Sequence, residues 1–245
     1  MPGNFTTQAR WDVSYRDVAL QAAPLGDPVR GWLERWVPRG QGPCLELGCF
    51  PGRYLAVLGE LGYELHGVDL TPRVESDLPA WLQQQAYRVG QFIKGDVFTH
   101  TFARKFEVVC SFGLIEHFGN WTELVDIHAG LVEQGGLLVL ATPNFRGWVQ
   151  HGLHAWLDGA NLAEHNLAAM RPNQWSHQVR DAGFEILISG WFGTFDFWAN
   201  ADPRRSRFKR AIIKVVRRLI PMFRLLPEGV TAYAPYCGLV ARKAG

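Results

Sequence analysis

Three carboxylates mark three successive apolar runs: Glu46 lies within Cys44–Leu47, Asp69 directly follows Glu64–Val68, and Asp96 comes three residues after Gln91–Ile93. An ionised carboxylate accepts hydrogen bonds, so such positions suit ribose hydroxyls or an exocyclic amine. Glycines Gly48 and Gly52 follow Glu46 closely, and glycine at a strand-to-helix turn lets a ligand approach the backbone. His117 and His165 are the candidate general bases, because each lies just after an apolar run or in the irregular stretch behind it. His151 and His154 stand three apart with His165 eleven further on, but no fourth ligand accompanies them. They read as surface or lid histidines, and no metal site is expected.

The elements that must position these groups alternate. After an N-terminal stretch of helical material (1–42), ended by Pro38, Gly40, Gly42 and Pro43, strands are expected at Cys44–Leu47, Glu64–Val68, Gln91–Ile93, Glu107–Ser111 and Leu137–Ala141. Helical spacing at Tyr54–Leu61, 77–87 and Trp121–Val132 separates them. Strands alternating with helices predict parallel βαβ units, hence a Rossmann-like doubly wound α/β sheet. Ligands of such sheets bind at the carboxyl ends of the strands. Glu46 and Asp69 are 23 residues apart, close to the roughly 20 at which an acid meets ribose hydroxyls in dinucleotide folds. The rival role for each acid is a strand-end turn or helix cap.

The segment 43–143 resembles class I S-adenosylmethionine-dependent methyltransferases in order and spacing. Glu46-Leu47-Gly48-Cys49-x-Pro51-Gly52 is similar to their first motif, Gly67-Val68-Asp69-Leu70-Thr71-Pro72 to the second-strand acid motif, and Gly95-Asp96-Val97 to the third. Phe106–Phe118 resembles the fourth strand with its exit loop, and Leu131–Leu140 the turn into the fifth. Tyr236–Lys243 is similar to the antiparallel seventh strand that separates this fold from nicotinamide-binding domains. The resemblance implies a single domain: an N-terminal lid (1–42), a cofactor-binding core (43–143), a helical insert forming an acceptor lid (144–182), then strand six, a basic helix and strand seven (183–245). It implies S-adenosylmethionine as cofactor, with Glu46, Gly48, Cys49 and Gly52 at its methionine end, Asp69 and Leu70 at the ribose, Asp96 and Val97 at the adenine, and Phe112 and Gly113 near the sulfonium. Trp11 and Tyr15, four apart, read either as a lid over the cofactor, with Tyr15 touching it, or as packing on the sheet.

Two positions depart from the pattern. Phe50 replaces a usual glycine, so its side chain either points away or narrows the methionine pocket. Quinone-biosynthesis O-methyltransferases carry a Glu-x-x-Glu-His motif, of which only Glu116 and His117 remain beside Gly113. The expected reaction is methyl transfer, on oxygen, to a small molecule, saccharide or glycolipid precursor. The alternatives are an NAD-dependent Rossmann oxidoreductase and a methyltransferase-like scaffold without catalysis.

Nine basic residues and no acid fall within 204–226. Without those nine, 16 basic residues face 23 acidic ones, so the remainder carries −7. A nucleic-acid-coating protein should be basic over a broad face, so no nucleic-acid partner is expected. The helix predicted at 204–226 has an apolar stripe from Phe208 to Phe223, read as covering the sheet. Its cationic face suits either plain solvation, an anionic membrane or a phosphate-bearing substrate. The cluster Trp191, Phe192, Phe195, Phe197 and Trp198 reads as core, or as an apolar acceptor pocket. Four scattered cysteines, a non-apolar start and the lack of a long apolar run predict reduced thiols and a cytoplasmic protein, at most peripheral to a membrane.

Overall fold

A computed structural model describes residues 4–200 and 202–245. Seven strands form one sheet: β1 (Pro43–Leu47), β2 (Glu64–Asp69), β3 (Val89–Lys94), β4 (Phe106–Phe112), β5 (Val132–Pro143), β6 (Phe184–Phe192) and β7 (Tyr236–Lys243). Their spatial order is β3-β2-β1-β4-β5-β7-β6. β1 to β5 pair in parallel, while β7 runs antiparallel to both β5 and β6. The Rossmann-like sheet with a reversed last strand is as expected.

Strand residues alternate between two buried layers, because successive side chains point to opposite faces. Cys44, Leu65, Val108, Cys110, Val139 and Val240 face one layer, built with α2 (Pro28–Trp36), α3 (Leu55–Glu60) and α4 (Asp77–Gln84). Leu45, Val109, Leu138, Leu140, Leu239 and Ala241 face the other, covered by α5 (Trp121–Leu131) and α8 (Pro172–Asp181). Burial on both faces explains why the strands read as continuous apolar runs rather than alternating ones. All four cysteines are buried free thiols.

Side-chain caps set the start of the first two helices. The Thr7 side chain accepts from Arg10 N at the start of α1 (Gln8–Tyr15), and Asp27 accepts from Val29 N and Arg30 N at the start of α2, whose first residue is proline. Residues 144–182 divide in two. Helix α6 (Trp148–Leu157) sends Val149, Leu153 and Leu157 into a separate apolar cluster and α7 (Gly159–Ala163) touches the second sheet layer through Leu162, whereas α8 packs Trp175 and Val179 fully into that layer. The last strand starts at Tyr236, and the segment before it is not part of the sheet. The preceding carbonyls are tied instead to side chains: Asn144 Nδ2 donates to Thr231 O and Ala234 O, and Gln150 Nε2 to Tyr233 O.

The basic helix α9 (Arg207–Phe223) does not cover the sheet. It rests on a third, separate apolar cluster formed by Leu157, Phe195, Phe197 and Ile213, with Val149 and Leu153 of α6 alongside. An amphipathic pattern specifies an apolar face but not its partner, and here α6 supplies that partner. Among the described residues, no helix is long and apolar enough to cross a membrane.

Candidate active site

The carboxyl ends of β1, β2, β4 and β5 open onto a cleft of ≈880 Å³. It is lined by every position singled out for cofactor binding: Tyr15, Glu46, Gly48, Cys49, Gly52, Asp69, Leu70, Asp96, Val97, Phe112 and Gly113. His117 lines it as well, and His165 stands behind His117 with the two ring centroids 4.5 Å apart.

Parallel pairing brings the carboxylates together. Glu46 and Gly67 are register partners on β1 and β2, so the exit of β1 lies beside Asp69. Glu46 is buried, and its Oε2 has no hydrogen-bond partner among the described residues. Burial, reinforced by the Asp69 charge, pushes its carboxyl well above the usual range, against the pull of the Leu55 amide. An acceptor atom without a partner costs stability when nothing cationic or donating meets it. A donor arriving from the cleft would satisfy it.

Asp69 is held rigidly. Its Oδ2 accepts from Phe50 N (3.1 Å) and its Oδ1 from Thr71 N (3.0 Å). Burial raises its pKa, and those two amides oppose the rise. A carboxylate has roughly four acceptor sites, so one site per oxygen stays open for a ligand. Asp96 Oδ1 caps its own turn by accepting from Phe98 N (2.9 Å). Both roles weighed for these acids, turn-former and ligand acceptor, are therefore compatible in one side chain.

Gly48 has φ +68°, and a Cβ there would lie 2.6 Å from Leu114 Cδ1, so both conformation and space require glycine. Phe50 lines the same cleft as Gly48 and Glu46, its ring in edge contact with Tyr15 (5.2 Å) and beneath the Arg73 guanidinium (4.9 Å), and it joins the core layer behind.

The chain's first described segment closes one side of the cleft. Trp11 stacks on Tyr15 (5.2 Å) and meets His117 edge-on (4.9 Å). The lid and packing readings of Trp11 and Tyr15 thus meet in one arrangement, since both side chains line the cleft and Tyr15 also packs on Phe50. Phe5 N donates to His117 O (2.9 Å), and Arg10 pairs with Glu164 (2.8 Å). Burial pushes the Tyr15 phenol up, with Asp69 and Glu46 adding to the shift, so the hydroxyl stays neutral.

His117 sits in the 3-10 turn Ile115–His117, which the loop before α8 pins in place: Asn166 N donates to Glu116 O (2.6 Å) and Asn166 Nδ2 to Phe118 O (3.0 Å). This is what brings His165 to His117. The Nδ1–H of His117 donates to Glu164 O (2.9 Å), with the Thr6 hydroxyl on the same carbonyl (3.1 Å). The Nδ1–H of His165 donates to Asn161 O (2.7 Å). A carbonyl partner at Nδ1 fixes the tautomer and leaves each Nε2 with its lone pair. Burial lowers the His117 pKa to about 3, aided by His165, and burial also lowers that of His165. Both rings are neutral at physiological pH.

Glu116, which the sequence shows only as a motif remnant, is fully buried; both carboxylate oxygens lack partners among the described residues, and burial pushes it up to about 8. Its Oε1 lies 4.0 Å from His117 Nε2. Glu116, His117 and His165 offer ligand atoms within 4.8 Å of one another, a group that could hold a divalent ion. Of the other histidines, His151 is exposed, while His154 is not a surface residue at all. Its ring is buried among Phe145, Phe197 and Trp198, 3.8 Å from Asp158. The aromatic cluster divides: Phe195 and Phe197 lie under α9, Phe192 stacks on Trp32 in the core (4.6 Å), and Trp198 lines the cleft, stacked on Tyr236 (5.2 Å, 9°). Neither Tyr236 nor the cleft-lining Thr142 carries a sequence signal beyond its strand.

Residues 22–188 match the family model described as a methyltransferase domain. No curated protein matches the sequence. Among solved structures, a SAM-dependent methyltransferase of Archaeoglobus fulgidus is similar over 88% of this chain and 93% of its own, at 18% identity and a TM-score of 0.56. Magnesium protoporphyrin IX methyltransferase of Synechocystis, solved with bound SAM, aligns over 88% of this chain and 76% of its own, at 15% identity and a TM-score of 0.52. An N-methyltransferase of Bradyrhizobium japonicum aligns over 89% and 95%, at 11% identity and a TM-score of 0.53.

Proposed function

We propose, for a chain that belongs to the methyltransferase-domain family, that the cleft holds S-adenosylmethionine along the strand ends and that a hydroxyl of a small molecule, saccharide or glycolipid precursor is methylated. The observation that carries the cofactor reading is the buried, unpartnered Oε2 of Glu46, lining the same cleft as Asp69 and Asp96. These residues fit the cofactor. Glu46 and Gly48 would hold its methionine end, the open acceptor sites of Asp69 would take the ribose hydroxyls, and Asp96 with Val97 would flank the adenine. When bound, the cofactor supplies a methyl group on a positively charged sulfur, open to in-line attack.

The protein's own contribution is position, dryness and a proton acceptor. Phe112 and Gly113 form the floor where β4 ends, and Trp11 and Tyr15 exclude water from above. The acceptor side is walled by Trp198, stacked on Tyr236, which stacks in turn on Phe192, an aromatic wall of the kind that small-molecule sites use. The Nε2 lone pair of His117 receives the hydroxyl proton. As the oxygen bonds to carbon its O–H becomes far more acidic than an imidazolium, so an imidazole with a lowered pKa still accepts that proton. Glu116, 4.0 Å away, stabilises the resulting charge when ionised, and His165 packs against the ring that receives it.

Calorimetric titration tests the cofactor reading: S-adenosylhomocysteine should bind and NAD should not. A screen with labelled cofactor tests the acceptor. Transfer to hydroxyl compounds is expected, and transfer confined to amines would overturn the assignment of oxygen.

A further inference from the structure

We infer that α9 docks the protein on an anionic membrane surface. The helix presents three sectors around its axis rather than the two its sequence suggests. Ile212, Ile213, Val216, Ile220 and Phe223 pack into the third apolar cluster. Beside them, at i, i+3, i+4 spacing, Phe208, Ala211, Val215, Leu219 and Met222 form a strip that stays open, with Phe208 69% and Met222 67% exposed. Leu225, at 92%, continues it past the helix end. The third sector holds Arg207, Arg210, Lys214, Arg217 and Arg218.

The cations are mostly uncommitted. Arg204 and Arg205 pair with Asp202 and Asp158, but the seven from Arg207 to Arg224 form no ion pair among the described residues. A solvated helix face explains cations but not an open strip of Phe, Val, Leu and Met beside them. A helix lying in a bilayer interface needs both features, the strip to enter the headgroup boundary and the cations to meet anionic lipid. A second copy of the chain is a poorer occupant, because two such helices would bring two uncompensated cationic sectors together. The remaining chain carries −7, so an anionic surface repels it and orients α9 toward the bilayer. Trp156 of α6, half exposed, follows Leu153 of the cluster under α9 by three residues and offers a tryptophan of the kind enriched at membrane interfaces.

The docking face adjoins the cleft. Arg217 donates to Ala199 O (3.2 Å), next to Trp198 in the cleft wall. Docking therefore places the acceptor side of the cleft near the lipid headgroups, whatever the acceptor is.

The test is co-sedimentation of the full chain with phosphatidylcholine vesicles, with and without phosphatidylglycerol, at low and high salt. Binding is expected only to the anionic vesicles and should weaken with salt. One variant combines Arg207→Gln, Lys214→Gln and Arg218→Gln, whose side chains make no hydrogen bond among the described residues; its partition should fall about 100-fold. A second combines Phe208→Ser, Val215→Ser and Met222→Ser, keeps all cations, and should fall about 10-fold or more. Circular dichroism and S-adenosylhomocysteine binding check that both variants fold. No binding to anionic vesicles at low salt, equal binding to neutral ones, or an unaffected apolar variant would overturn the inference. So would a concentration-dependent dimer that the apolar variant abolishes, since a second copy would then cover the strip.

Discussion

Replacing Asp69 with alanine isolates the ribose contact from the rest of the cleft. The carboxylate already accepts Phe50 N at 3.1 Å and Thr71 N at 3.0 Å, one per oxygen, and so keeps one acceptor site per oxygen for the two ribose hydroxyls. A hydrogen bond to an ionised group is worth about 1.5–3 kcal/mol, and two on one carboxylate share part of that. The expected loss for Asp69→Ala is about 3 kcal/mol, or somewhat more than 100-fold in Kd for S-adenosylhomocysteine. Asp69→Asn keeps one acceptor oxygen and should fall between. Alanine also strands two amides, so part of the damage could come from a loosened Gly48–Gly52 turn. Thermal melts without ligand measure that part, and calorimetry well below the melting temperature measures the rest. An affinity within about 3-fold of the parent, with an unchanged melt, would refute the placement of the ribose at Asp69.

Further outcomes follow from the buried titratable side chains. His117→Ala should lower turnover about 100-fold or more toward a hydroxyl acceptor, with S-adenosylhomocysteine affinity little changed; His165→Ala should act in the same direction through the ring it packs against, and full activity in both would leave positioning alone as the mechanism. The base assignment also expects turnover indifferent to EDTA, whereas loss with recovery on adding a divalent ion would hand Glu116, His117 and His165 to a metal. Glu116, pushed from 4.5 to about 8, holds a proton in the folded protein that the unfolded chain has released, so stability falls as pH rises between those values. Glu116→Gln should therefore match the parent near pH 5 and melt higher near pH 8. His117, lowered to about 3, and His128, buried on α5 with its Nδ1–H on Leu124 O (2.6 Å) and lowered to about 4, act with the opposite sign, costing stability as pH falls below about 6.5.

The strand ends were legible because buried parallel strands write themselves as apolar runs, and a carboxylate interrupting such a run is conspicuous. All the proposed cofactor positions consequently face one cleft. The weak third strand was underestimated, at Gln91–Ile93 against Val89–Lys94, because an edge strand is only half buried and carries polar residues. Burial of Glu116 was illegible for a different reason. It depends on the loop at Asn166, some fifty positions away, closing over the 3-10 turn. The α9 stripe was read correctly as apolar and assigned the wrong partner, since periodicity records a face and is silent about what meets it.

The attachment of His117 to the N-terminal segment has a thermodynamic consequence. Phe5 binds its carbonyl, while the Thr6 hydroxyl lies 3.0 Å from its Nδ1 and donates to the Glu164 carbonyl that the ring also uses. Freeing those two residues would loosen the backbone of His117 and one wall of the cleft, while the Glu164 carbonyl would still hold Nδ1. Ordering of the segment and placement of the imidazole are then coupled. Any ligand that favours the closed segment must also favour the competent imidazole, and by reciprocity a group that engages Nε2 must tighten the segment over whatever the cleft already contains.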